Sequence, residues 1–177
     1  LPPEPVPQAS TAPEIAAAAY LVQDLQSGQV LAEKNWETPI EPASLTKLMT
    51  AYIAFSAMKA GRLSPQTEVV FSKKAADQPA SKMYFKPGQK LTMDSALKLL
   101  LIKSANDVAV AIAETIGGTS DNFVAQMNAQ AQRLGMSSTH YINANGLPGK
   151  GQYTTARDLA LLALIIKREF PEYAGYF

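Results

Sequence analysis

The chain has 177 residues, 47% of them hydrophobic and 18% charged, which is enough apolar material for one buried core and too much for a disordered chain. Sixteen Lys and Arg against fifteen Asp and Glu leave a net charge of +1 scattered along the sequence, excluding the concentrated basic footprint of a nucleic-acid or anionic-membrane surface. The absence of Cys excludes disulfides and thiolate metal ligands, and the longest apolar run, 159–166, falls far short of the about 20 residues of a membrane span.

The chain opens at Leu1 with no Met, and residues 1–13 are rich in Pro. Residues 1–14 read as an extended leader, left either by removal of an export signal or by an arbitrary chain boundary, ahead of a single domain over 15–177. Apolar runs at 16–24 and 29–33 flank Gln26-Ser27-Gly28, a turn signal, and predict a β-hairpin. Pro42 stops any strand and permits a helix just after it.

From Ser44 to Ala60 the apolar positions wrap more than one face, with Gly61 as the stop, so this helix is expected inside the domain. It carries Ser44 and Lys47 three residues apart, about 5–6 Å between Cβ atoms, where a hydroxyl and an amine can meet. The spacing alone is weak, because Ser56/Lys59 and Ser95/Lys98 match it equally. Those two serines fall within helical turns, where a hydroxyl can bond back to a carbonyl and the Lys can snorkel. Ser44 sits at the helix mouth, where free N–H groups can stabilise an oxyanion, but a plain N-cap is an equally physical role there.

Residues 63–90 are polar and broken by Pro and Gly, and predict irregular structure with one short strand at 69–71. Thr92 predicts an N-cap for a helix through Ile102, and helical spacing resumes from Val108 to Gly117-Gly118. Between them lies Ser104-Ala105-Asn106-Asp107. A polar knot between buried helices either caps the second helix or hydrogen-bonds to a specific partner. Ser120 reads as a plain helix start, and Met127 and Met136 as core filler. His140, the only His, has no Cys, His or carboxylate near it in sequence and reads as structural. Residues 137–153 form a loop with turns at Asn145-Gly146 and Pro148-Gly149. Thr155 and Asp158 then make a capping-box variant for the last helix, where Arg157 and Asp158 can serve local charge balance.

Three motifs in order, Ser44-Leu45-Thr46-Lys47, Ser104-Ala105-Asn106 and Gly151-Gln152-Tyr153-Thr154-Thr155-Ala156-Arg157-Asp158-Leu159-Ala160, make the chain recognisable. From about Ile15 onward it resembles the low-molecular-mass penicillin-binding proteins, specifically the serine D-alanyl-D-alanine carboxypeptidases of Gram-negative bacteria. The resemblance implies an α+β fold, the front portion of the β-lactamase/DD-peptidase-like architecture: an N-terminal β-hairpin, a helical subdomain and a central antiparallel sheet incomplete in these residues. It implies Ser44 as nucleophile toward peptidoglycan stem peptides and β-lactams, and Lys47 as general base, its pKa lowered by burial and a neighbouring cation. Ser104 would relay the proton, Asn106 would hold Lys47 and the substrate amide, and the Ser44 N–H would form half of an oxyanion hole. No metal or cofactor is implied. A periplasmic site follows, with a possible inner-membrane anchor outside these residues.

The family's third motif, Lys-Thr-Gly on a later strand, does not occur. The chain is therefore expected to be truncated before that strand, to be completed by another polypeptide, or to fill the gap as a homodimer. A class A β-lactamase shares the first two motifs but needs a carboxylate ahead of the last helix, and residues 122–157 contain no Asp or Glu. A D,D-endopeptidase of the same family and a noncatalytic peptidoglycan- or partner-binding module remain the alternatives.

Overall fold

The computed structural model describes residues 12–177, so most of the 1–14 leader lies outside the described residues. The expected hairpin forms, with β1 (Tyr20–Gln23) antiparallel to β2 (Val30–Lys34) and Tyr20 opposite Lys34. Asp24 closes its turn by accepting from both the N–H and the hydroxyl of Ser27, each at 2.7 Å. Residues 16–19 stay outside the strand.

A 3-10 turn at Ala43–Leu45 leads into α1 (Thr46–Lys59). Eleven of its fourteen residues are buried, so the helix without a polar face is the one that the others surround.

The stretch expected to be largely irregular holds more order than its sequence suggests. The strand lies at Glu68–Val70 (β3), Lys73–Ala76 forms a one-turn helix (α2), and Lys90–Thr92 (β4) pairs antiparallel with β3, Val69 opposite Leu91. Elements of three and four residues are too short to show a period. The ribbon is fixed by burial of Val69 and the stack of Phe71 on Phe85, 4.2 Å between centroids, and α2 by its Ser72 cap. Thr92 caps the next helix as expected, accepting from the Ser95 N–H at 3.2 Å.

The remaining helices are α3 (Met93–Ile102), α4 (Asn106–Gly117), α5 (Ser120–Arg133) and α6 (Ala156–Glu169). All four pack against α1, and β1 packs on α6. Met127 and Met136 are buried in this core. A final 3-10 segment, Pro171–Tyr176, folds back so that Tyr173 stacks on Phe55 at 4.9 Å and the Tyr176 hydroxyl donates to Asp94 at 2.9 Å. No helix among the described residues is long and apolar enough to cross a membrane.

Asp158 does more than balance charge. Thr155 caps α6 by accepting from the Asp158 N–H at 3.1 Å. The Asp158 carboxylate, buried, accepts from the Ser138 N–H at 2.9 Å and the Thr139 hydroxyl at 2.7 Å, pinning the start of the 137–153 loop to the helix. Replacing it removes the shared acceptor of two half-buried donors, so Asp158→Ala is expected to lower unfolding free energy by about 1–2 kcal/mol in urea denaturation. A second packing constraint lies at the α4–α5 corner, where a Cβ on Gly117 would stand 2.8 Å from the Phe123 nitrogen. Gly117→Ala is expected to cost about 1–3 kcal/mol by overpacking, read as a lowered thermal midpoint.

Candidate active site

The three Ser/Lys pairs separate in space. Lys59 turns to the Glu169 carbonyl and lies over the Phe170 ring, and Lys98 pairs with Asp94 at 2.7 Å. Lys47 alone approaches its serine, with Nζ 3.4 Å from Ser44 Oγ.

Ser44 is not an N-cap. It occupies the middle of the 3-10 turn, and neither the turn nor α1 has a side-chain cap, which leaves its exposed hydroxyl free of a structural duty. The preceding Ala43 has φ +47°, a left-handed conformation that costs a non-glycine residue roughly 1–2 kcal/mol. The Thr46 N–H bonds back to the carbonyls of Ala43 and Ser44 and tightens the turn.

Lys47 is 3% exposed. Its amine lies 2.9 Å from Asn106 Oδ1 and 2.7 Å from the Asn145 carbonyl, in addition to Ser44. Burial pulls its pKa from the ordinary 10.5 down to about 8. The expected neighbouring cation plays no part, because desolvation is the sole cause of the shift. A folded pKa below the unfolded one means that the folded chain binds fewer protons between about 8 and 10.5. Stability therefore rises with pH across that window, and below it the charged amine costs the fold roughly 3 kcal/mol. Once neutral, the amine has two N–H groups for the two short carbonyl contacts and a lone pair for the third direction, toward the Ser44 hydroxyl.

The polar knot at 104–107 is bound to a specific partner, the 79–83 segment. The Asn106 N–H donates to the Ser81 carbonyl at 2.7 Å, Asn106 Nδ2 to the Pro79 carbonyl at 3.1 Å, and the Met83 N–H to both Asp107 carboxylate oxygens at 3.0 Å. These bonds orient the Asn106 amide with its oxygen toward Lys47. The cap position of α4 is Ala105, so neither Ser104 nor Asp107 caps the helix from its mouth. Ser104 ends α3 at φ +54°, a conformation usually left to Gly. Its Oγ is buried without a hydrogen-bond partner among the described residues. Ser44, Lys47 and Ser104 line one cavity of about 590 Å³, walled by Leu45, Leu48 and Leu100.

Sequence reasoning did not identify the Asn145 carbonyl as a partner of the amine. Asn145-Gly146 reads as a turn, and the turn is there, but a backbone acceptor leaves no mark in residue identity. His140 is structural: its ring stacks on Tyr153, and Nδ1 is 2.6 Å from the Gly151 carbonyl.

Residues 6–176 match the family described as D-alanyl-D-alanine carboxypeptidase. Among curated relatives, the D-alanyl-D-alanine carboxypeptidase DacC of Escherichia coli K12 is 36% identical over 171 residues, covering 93% of this chain and 43% of that protein. DacF of Bacillus subtilis is 36% identical over 148 residues, covering 84% and 38%. The chain thus spans less than half the length of these relatives. Among solved structures, the carboxypeptidase DacD from Francisella tularensis superposes with a TM-score of 0.90 at 43% identity over 97% of this chain and 41% of that one. Penicillin-binding protein D2 from Listeria monocytogenes, in its cefotaxime-bound form, gives 0.82 at 30% identity over 92% and 66%. With this match along almost its whole length, and the helical arrangement shared with those structures, the chain belongs to the D-alanyl-D-alanine carboxypeptidase family.

Proposed function

We propose that these residues form the nucleophile-bearing part of a periplasmic serine D-Ala-D-Ala carboxypeptidase that trims peptidoglycan stem peptides and is acylated by β-lactams. The observation that carries the reading is the buried Lys47 amine, held by Asn106 and Asn145 with its remaining direction toward Ser44 Oγ. Neutral Lys47 takes the Ser44 proton as Oγ attacks the carbonyl of the penultimate D-Ala. The Ser44 N–H stabilises the oxyanion as one of its donors. Collapse breaks the peptide bond, Ser104 gives its proton to the departing D-Ala amine and takes in exchange the one that Lys47 received, and water later hydrolyses the acyl-enzyme. A hydroxyl with no structural partner on the same cavity suits that relay. Asn106 fixes Lys47 and contacts the substrate amide. The carboxylate-binding group of the third family motif is not among these residues.

Incubation with a fluorescent penicillin and peptide mapping are expected to place the label on Ser44, with none in Ser44→Ala; a labelled Ser44→Ala protein would sink the assignment. Release of free D-Ala from a pentapeptide, measured alongside, identifies the carboxypeptidase, whereas cleavage confined to cross-linked dimers identifies an endopeptidase instead. The acylation rate is expected to rise with pH through about 8, as Lys47 loses its proton, and then level off. Lys47→Arg retains the charge yet cannot deprotonate, so it is expected to lose about 10²-fold or more and the pH dependence with it. A stopped-flow pH series on both proteins checks this, and an unchanged profile in the Arg variant overturns the assignment of the base.

A further inference from the structure

Gly146 approaches the reacting turn more closely than any side chain would allow. A Cβ on Gly146 would stand 1.8 Å from the Ala43 carbonyl oxygen, 2.5 Å from its carbon and 3.1 Å from Thr46 Oγ1. The two Ala43 contacts are with backbone that cannot swing aside, and Gly146 itself has φ +89°, where an L side chain is strained. The residue that it touches is the left-handed Ala43, whose carbonyl is bonded to the Ser44 nitrogen. A strained turn keeps its geometry only where its surroundings enforce it.

The loop on the other side of the contact is held firmly. Thr50, one turn beyond Lys47 on α1, donates its hydroxyl to the Ala144 carbonyl at 2.7 Å, with both residues buried. The Gly146 N–H donates to Asn143 Oδ1 at 2.8 Å, and the buried Gln152 donates to the Leu147 carbonyl at 2.8 Å. Asn145 Nδ2 reaches Gln78 Oε1 at 2.9 Å. The helix thus holds the loop, and the loop presses on the turn from which the helix starts.

We propose that Gly146 is a positioning residue for acylation: having no side chain, it seats the 143–147 loop on the Ala43 carbonyl and fixes the Ala43–Ser44 peptide, and so the direction of the Ser44 N–H and hydroxyl. This rests on Ser44 being the nucleophile. With the loop tied to Thr50, Gln78 and Gln152, a methyl at 146 displaces the turn rather than the loop. A shift of about 1 Å in a reacting group costs on the order of 10²-fold in rate.

The test is made in the full chain, with a fluorescent penicillin as probe. Gly146→Ala is expected to acylate about 100-fold more slowly at every pH, with the midpoint of the pH profile unchanged, since Lys47 keeps its surroundings. The double variant Ala43→Gly/Gly146→Ala lets residue 43 yield to the methyl. It is expected to fold with a thermal midpoint near that of the unaltered chain and still acylate slowly. A double variant that acylates as fast as the unaltered chain overturns the proposal. So does a double variant that fails to fold, which assigns Gly146 to the fold alone, and so does a shifted pH midpoint, which assigns the effect to Lys47. Absence of label on Ser44 in the unaltered chain fails the nucleophile itself, and is read before any variant is made.

Discussion

Everything at the site depends on keeping one amine out of water. A Lys side chain is stable as an ammonium in solvent, and burying it is unfavourable unless its protons meet acceptors. Lys47 meets two carbonyl oxygens at 2.9 and 2.7 Å and is sealed enough for burial alone to bring its pKa to about 8. The surrounding structure can be understood as what this requires. α1 is buried almost throughout, so the first turn of the helix lies in the interior while the preceding 3-10 turn leaves Ser44 at the surface. The amine is inside, the hydroxyl outside, and 3.4 Å separates them.

The two acceptors come from different parts of the chain and are held by different means. Asn106 starts a helix, and it is oriented by the bonds that its amide and its N–H donate to carbonyls of the 79–83 segment, with Asp107 gripping the same segment from the next position. The Asn145 carbonyl is presented by a loop fastened to α1 through Thr50 and internally through Asn143 and Gln152. Neither acceptor carries a charge. A carboxylate beside Lys47 would stabilise the ammonium and raise its pKa, whereas neutral carbonyls satisfy the N–H groups with less bias toward the protonated form.

Much of this is written in the residues, and the reasons for what is not are physical. The i, i+3 spacing of Ser44 and Lys47 and the position after Pro42 are local, so they are legible once a helix is recognised. The knot at 104–107 is legible as polar residues where burial is expected, though its partner, 79–83, is not, because irregular segments carry no period. The hairpin, the five longer helices and the Thr92 and Thr155 caps follow from pattern and capping chemistry. β4 and α2 do not, because elements of three and four residues owe their existence to tertiary contacts. Two features at the site escape altogether. A backbone carbonyl such as that of Asn145 has no residue type, and a glycine in tight contact, Gly146, looks the same as one that merely turns the chain.

The bonds of Lys47 also bear on when the cluster can assemble. Its two carbonyl partners lie 59 and 98 residues further along the chain. Contacts of such sequence separation carry a loop-closure cost that local helix formation does not, and they close late. A chain emerging from synthesis can coil α1 as soon as its residues are free, but its amine then has neither of these acceptors until Asn106 and later Asn145 arrive. Until that moment, the first turn of α1 is better kept in water than buried. On the proposed assignment, Ser44 therefore has no buried base beside it until the residues through Asn145 have emerged, and order of arrival delays its chemistry until the helices have gathered.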